Sequence, residues 1–453
     1  MSISEIVNII ILVLSITFFV CYAYQFFYIL VPFIKKPRPH LPAVPHRFGI
    51  LISARNEKVV IKNLIDSIKR QTYDQNLITI FVIADNCTDE TAQICREAGA
   101  VVYERNDPNK IGKGYALEFL YENIVRDFGD TAFDAYFVLD ADNVLDPHYV
   151  EKMNQTFSDG YQVVTSYRNS KNYGDNWISA GYALWFLRES KYLNNSRMLM
   201  NTTCAVSGTG FMFDSAIIRE VGGWKFFLLT EDIEFTVYNV VNGRKIGYSD
   251  AELYDEQPTT VAQSWRQRMR WTKGYIQVWG KFGGSLLKNL FSPKFTSCYD
   301  MTMTILPAMI LSLLGVTTTV VASIIALCMQ QYWEILLVWK HFGCMLLGSY
   351  TLLAVIATIT VITEWKKIRT TKFKKIFYIF TFPLFMLTYI PITFCALFKK
   401  VEWKPIVHNK ATTIDQLIAD EPIEESTEEA AESTEDSEKV EATVASENEN
   451  QNA

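Results

Sequence analysis

Four apolar stretches, at residues 7–30, 301–327, 335–362 and 376–398, are each long enough to cross a bilayer as a helix. A more polar segment lies between the first two. From Phe48 to roughly Gly247, short apolar runs alternate with helical segments, which predicts an α/β sheet with helices packed on it. Strands are expected at 50–53, 78–84, 101–103, 135–139 and 163–166. Val60, Leu64, Ile65 and Ile68 recur near 3.6-residue spacing and predict a helix over 59–71, and Asp89 stands before a second at 90–98. There is no internal repeat, and no glycine-rich phosphate loop follows a strand.

Composition agrees with this division. The chain has 453 residues, 49% of them hydrophobic and 20% charged, too many and too apolar for a small or disordered domain. A mean hydropathy of +0.07 fits a soluble domain joined to membrane spans. Of the eight cysteines, Cys21, Cys328, Cys344 and Cys395 lie in apolar runs, while Cys87, Cys95, Cys204 and Cys298 show no CxxC spacing. Neither a disulfide framework nor a zinc site is indicated, as suits a reduced, cytoplasmic soluble part.

The formal charge of −6 hides a contrast, because residues 415–449 hold 14 acidic side chains against Lys439, leaving the rest of the chain at +7. A mildly basic body suits nucleotide phosphates and lipid headgroups, whereas so acidic a tail should stay unfolded. No nucleic-acid partner is expected, since the basic residues form no aromatic-interleaved stripe. Lys35, Lys36, Arg38 and Arg47 follow the first stretch and only Glu5 precedes it. The positive-inside bias then predicts an uncleaved anchor, an outer N-terminus and a cytoplasmic domain. The second and third stretches form a hairpin returning to Lys366, Lys367, Arg369, Lys372, Lys374 and Lys375. One further crossing would put Lys399, Lys400 and Lys404 outside; Pro383 and Pro391 suggest a broken segment, and a single crossing and a re-entrant path both fit.

Candidate chemistry gathers where apolar runs end. Val138-Leu139-Asp140-Ala141-Asp142 closes a strand with two carboxylates two residues apart, which share a face in extended chain. Such hard oxygen ligands suit Mg²⁺ or Mn²⁺ carrying a diphosphate, although the same pattern also occurs in solvated loops. Glu231 and Asp232 follow Thr230, either as the capped start of a helix or with one carboxylate poised to take a proton from a hydroxyl. Gln267-Arg268-Met269-Arg270-Trp271 reads as part of an interfacial helix with Trp265, Trp271 and Trp279 at headgroup level, or as a surface that stacks on sugar and neutralises diphosphate. Ser53-Ala54-Arg55-Asn56-Glu57 and Asp85-Asn86-Cys87-Thr88-Asp89 follow two other strands, at whose carboxyl ends an open α/β sheet binds ligands. Lys110, Gly112, Lys113 and Gly114 add a basic loop that could approach phosphate.

Taken in order, Ala54-Arg55-Asn56-Glu57, Asp85, Asp140-Ala141-Asp142, Thr230-Glu231-Asp232 and Gln267–Trp271 resemble the signature of membrane-embedded glycosyltransferase family 2, the group of the cellulose, chitin and hyaluronan synthases. The likeness covers roughly residues 48–279 and has membrane flanks where that group has them. It implies an α/β catalytic domain of GT-A (Rossmann-like) fold and an inverting transfer from a UDP-sugar. The acceptor would be a growing β-linked polysaccharide passed across the membrane, or alternatively a lipid or lipid-linked molecule receiving one sugar.

Residue by residue, the resemblance implies that Asp85 and the turn Ala54, Arg55, Asn56 and Glu57 hold the uridine and that Asp140 sits against the nucleotide. Asp142 would bind Mg²⁺ or Mn²⁺, and Asp232 would be the general base. Gln267, Arg270 and Trp271 would close over the diphosphate and the acceptor's terminal sugar, with Lys113 nearby on the substrate. Ser207-Gly208-Thr209-Gly210 and Gly222-Gly223-Trp224 resemble positions lining the acceptor cleft, a packing role being equally open. Trp403-Lys404-Pro405-Ile406 resembles the cytoplasmic stretch after the last span and favours an inner C-terminus.

The implied order is an anchor at 1–34, a catalytic domain at 48–262, an interfacial amphipathic segment at 263–295, a transmembrane region at 301–398 and an acidic tail at 411–453, in a multi-pass protein of the cell membrane. With a single anchor before the domain and few spans, secretion of a polymer is expected to need dimerisation or an export partner, or not to occur.

Overall fold

The computed structural model describes residues 1–402 and 411–419; the 403–406 motif and the acidic tail past residue 419 lie outside the described residues. A long helix, α1 (Ile3–Ile34), precedes β1 (Phe48–Ala54), α2 (Ile61–Lys69), β2 (Ile78–Asp85), α3 (Thr91–Glu97), β3 (Val101–Arg105), α4 (Lys113–Phe128) and β4 (Ala135–Asp140). The chain continues through β5 (Val144–Leu145), α5 (Tyr149–Ser158), β6 (Val163–Ser170), α6 (Trp177–Arg188), a π-helical stretch Glu189–Asn194 and α7 (Asn195–Leu199). Next come β7 (Phe211–Asp214), α8 (Ser215–Val221), α9 (Glu231–Val241) and β8 (Ile246–Asp255). Helices α10 (Val261–Asn289), α11 (Phe295–Ile305), α12 (Pro307–Cys328), α13 (Tyr332–Thr363), α14 (Lys372–Leu387) and α15 (Tyr389–Phe398) follow, then a short α16 (Ile414–Ala419).

The strands form one sheet in the order β3-β2-β1-β4-β7-β6-β8-β5. β1 pairs in parallel with both β2 and β4, and its near-continuous apolar run is what a central strand covered on both faces requires. All five expected strands are present, with β3 running on to Arg105. β5, β7 and β8 were not anticipated. β7 is only four residues long and lacks alternation, and its antiparallel pairing with β4 and β6 depends on neighbours distant in sequence. β8 pairs with β6 through a register shift between Thr165 and Tyr167, and its own run includes the exposed Asp250.

Among the described residues four helical segments are long and apolar enough to cross a membrane: Ile3–Ile34, Phe295–Cys328, Tyr332–Thr363 and Lys372–Phe398. Val7 and Ile11 of α1 pack with Ala322 of α12 and Val338 of α13, and Ser4 N donates to Glu334 Oε2 at 2.6 Å. The start of α1 and the turn between α12 and α13 therefore share one end of the bundle. At the other end α13 returns to the sheet, where the Tyr167 hydroxyl donates to Glu364 at 2.5 Å and Lys367 to Glu252 at 2.7 Å. The fourth segment is interrupted at Thr388, between Pro383 and Pro391. Pro391 has no N–H to offer the carbonyl of Leu387, four residues before it and next to the interruption.

Arg197 of α7 and Asp300 of α11, each 1% exposed, pair through Nε and Nη2 at 2.7 Å each. Two hydroxyls of α1 complete the cluster, Tyr24 at 2.9 Å and Tyr28 at 3.2 Å from the Asp300 carboxylate. Asp300→Ala would strand a buried guanidinium at a cost of about 3–5 kcal/mol. A sharp fall in the unfolding temperature of detergent-solubilised protein is expected, with Arg197→Met in the same chain restoring part of it; an unchanged transition would contradict this role.

Candidate active site

β1 and β2 are neighbours, so the turns that leave their carboxyl ends meet. Asn56 and Asn86 take positive φ values of 59° and 53°, a conformation that asparagine tolerates. Thr88 N donates to Asn56 Oδ1 at 2.8 Å and Asn56 Nδ2 donates to Thr88 Oγ1 at 3.2 Å, locking the two turns together. Glu57 N donates to Thr91 Oγ1 at 2.9 Å. Ala54 is buried, Arg55 and Glu57 are half-buried and Asn56 is exposed at the rim. Asp85, at the end of β2, is buried and accepts from Arg105 Nη1 at 2.6 Å. Arg105 also donates to Lys110 O at 2.7 Å, which ties the basic loop to the same place.

β4 ends in Asp140, whose Oδ1 accepts from Lys113 Nζ at 2.5 Å. The same ammonium donates to Gly208 O at 2.8 Å, and Gly208 N donates to Asp232 Oδ2 at 2.6 Å. The backbone of one glycine thus connects Asp140 and Lys113 to Asp232. Gly208 and Gly210 have φ of 73° and 70°, and a Cβ on Gly210 would lie 1.9 Å from Leu253. Between them, Thr209 Oγ1 accepts from Asp140 N at 2.9 Å and donates to Asn143 Oδ1 at 2.5 Å.

Asp142 is buried beside this junction. Its Oδ2 accepts from Glu256 N at 2.8 Å, and the Lys171 ammonium donates to its main-chain oxygen. Asp255, also buried, accepts from Arg168 Nε at 2.7 Å, and burial pushes its carboxyl above the ordinary range. The hard oxygens of Asp140 and Asp142 are the donors a divalent cation would take. Among the described residues no three His, Cys, Asp or Glu side chains form a closed cage.

Thr230 occupies the N-cap of α9 as expected, but its buried hydroxyl makes no capping bond. It presses instead on α10, where a Cβ on Gly274 would come within 2.4 Å of it. Glu231 is buried and Asp232 is half-buried, so Asp232 is the more accessible carboxylate. Burial raises both carboxyls above their ordinary values, with the Asp232 charge adding to the rise at Glu231. The Ile233 and Gly208 amides, then Lys113 and Arg270, oppose the rise at Asp232.

Spacings of three and four put Gln267, Arg270, Trp271 and Gly274 along one side of α10. Trp271 packs edge-on to Tyr182 and Phe186 of α6, with centroids 5.6 and 6.2 Å apart. Gln267 Oε1 is buried with no hydrogen-bond partner.

The structure therefore brings Lys113, Asp140, Asp232 and Arg270 to one centre, with Asp142 beside it and Asp85 and the Ala54–Glu57 turn at the neighbouring strand ends. Arg105, Asn143, Arg168, Lys171 and Asp255 escaped the sequence reading. Asp255 could have been found, since it closes an apolar strand as Asp85 and Asp140 do; Arg168 carries no such signal, being mid-strand with its guanidinium 3.6 Å from the Phe186 ring centre.

Comparison with known proteins agrees. The beta-monoglucosyldiacylglycerol synthase of a Nostoc species is 25% identical over 288 residues, 61% of this chain and 58% of that protein. The poly-beta-1,6-N-acetyl-D-glucosamine synthase of Staphylococcus aureus is 23% identical over 257 residues, 55% of this chain and 58% of that one. The chain thus spans rather more than half the length of these curated relatives. The solved mannosyltransferase PcManGT from Pyrobaculum calidifontis, in complex with GDP-Man and Mn²⁺, aligns with a TM-score of 0.50 at 13% identity, covering 86% of this chain and 99% of its own, a likeness of fold. A family model described as Glycosyltransferase like family 2 matches residues 45–274, half of the chain. On that match, carried by a GT-A sheet with these residues at its strand ends, the chain belongs to glycosyltransferase family 2.

Proposed function

We propose that this enzyme is an inverting membrane transferase that moves sugar from a UDP-sugar to a growing β-linked polysaccharide. The observation that carries the reading is the Gly208 backbone, which ties Asp232 to the Lys113–Asp140 pair. A base and a phosphate-binding cluster held by one rigid loop are what a single displacement at an anomeric carbon needs.

In this reading the Ala54–Glu57 turn and Asp85 bind the nucleoside, while Asp140 and Lys113 lie against the diphosphate. Asp142 holds Mg²⁺ or Mn²⁺, and a cation bound there neutralises diphosphate charge. Asp232 takes the proton of the acceptor hydroxyl as that oxygen bonds to the anomeric carbon. The bond from that carbon to the diphosphate breaks, its electron pair leaves on the diphosphate, and Arg270 stabilises the charge that develops. The unpartnered Gln267 Oε1 is an acceptor for a sugar hydroxyl, next to Trp271. The basic cluster from Lys366 to Lys375 supports a cytoplasmic catalytic domain.

A second reading, transfer of one sugar to a lipid, draws support from the packing of α10 on the membrane helix. Lys273 donates to Ala396 O of α15 at 3.1 Å, so an amphiphilic acceptor could meet the cleft from the bilayer. Product size separates the two. Membranes given a panel of labelled UDP-sugars with Mg²⁺ or Mn²⁺ should yield long polymer from one donor; a short chloroform-soluble product would favour the lipid acceptor.

Asp232→Asn should lower transfer by about 10²–10⁴-fold, and undiminished transfer would refute its role as base. The pH profile follows from the raised carboxyl. A base works only when deprotonated, so activity should fall with decreasing pH at values above the ordinary carboxylate range. An acid limb at the pH of an ordinary aspartate would contradict this.

A further inference from the structure

Gln267, Arg270 and Trp271 have a place in the cleft or close to it, but Arg268 does not. It is 3% exposed, and its Nη1 donates to Phe385 O at 2.9 Å and to Thr388 Oγ1 at 2.6 Å. Both acceptors lie at the break between α14 and α15. Its guanidinium also lies 4.1 Å from the Phe385 ring centre and 5.1 Å from that of Tyr389. Among the described residues no carboxylate pairs with it, and its Nε makes no hydrogen bond, so the attachment rests on Nη1 and the ring faces.

A helix that stops inside an apolar layer leaves carbonyls without intrahelical donors and a partial negative charge at its end. Arg268 supplies both a donor and a positive charge there. The joint is tight on its other side as well, since a Cβ on Gly181 of α6 would lie 2.4 Å from Phe385. Lys273 adds a second strap to Ala396 O, and Gly274 seats α10 against Thr230. Helix α10 is thereby held between the start of α9, which carries Asp232, and the broken membrane helix. Rotation of α10 about its axis would move Arg270 relative to Asp232, on whose carboxyl its charge acts, and with it Gln267 on the same side of the helix.

We infer that Arg268 is a positioning residue for glycosyl transfer: by capping the break at Thr388 it sets the rotation of α10 and hence the placing of Arg270 and Gln267. The inference rests on the glycosyltransfer reading of the cleft. The test compares full-length wild type, Arg268→Ala and Arg268→Lys in membranes, with UDP-sugar transfer and amide hydrogen exchange as readouts. Arg268→Ala should lower kcat about ten- to a hundredfold, the scale of a misplaced catalytic group, with donor KM little changed. Exchange should quicken in peptides spanning residues 267–274 while the strands keep their protection. Lysine, which keeps the charge and one donor but not the planar stacking, should recover part of the loss.

Wild-type kcat in Arg268→Ala, a loss confined to donor KM, or loss of protection throughout the sheet would overturn the assignment. Wild-type membranes that transfer no sugar from any donor would overturn the functional reading itself.

Discussion

The fold depends on one buried ion pair. Arg197 and Asp300 are removed from water at the seam between the catalytic sheet and the membrane helices, and each satisfies the other through two bonds. An unpaired charge there would cost more than the seam could supply, so α7 and α11 are obliged to meet. Tyr24 and Tyr28 of α1 bond the same carboxylate, which brings the first and second candidate spans to one point. Such polar contacts join the sheet domain to the helices beside the apolar packing between them.

The cleft repeats this logic on a smaller scale. Asp85, Asp140 and Asp255 each meet a cation at the end of a strand, respectively Arg105, Lys113 and Arg168. At Asp232 and Glu231 burial outweighs the nearby charges of Lys113 and Arg270 and raises the affinity of both carboxyls for protons. A carboxylate that is half-buried, held by a backbone amide and more basic than usual is well suited to proton transfer.

Helix α10 serves both worlds. One side carries Gln267, Arg270 and Trp271 toward the catalytic body, and Arg268 and Lys273 fasten it to α14 and α15. The residues proposed for the chemistry and those that fasten α10 to the apolar helices are therefore interleaved in a run of seven, and the close approaches at Gly181 and Gly274 leave little room for either set to shift alone.

Much of this was legible in the sequence. The apolar runs at β1, β2 and β4 identified the sheet, because a central parallel strand must be apolar, and the carboxylates closing β2 and β4, Asp85 and Asp140, marked the strand ends at which an open α/β sheet binds ligands. The four long apolar stretches marked the candidate spans, and the resemblance to family 2 marked Gln267, Arg270 and Trp271. What stayed hidden depended on partners far along the chain. β7 is too short to show a period, Thr230 exchanged its capping bond for a contact with Gly274, and Arg168, Arg197 and Arg268 look alike as isolated arginines. Local propensity acts over a few residues, whereas the partner of a buried charge is whatever tertiary packing brings near it. The sequence by itself determined which residues could do chemistry; only the folded chain decided which of them stand together.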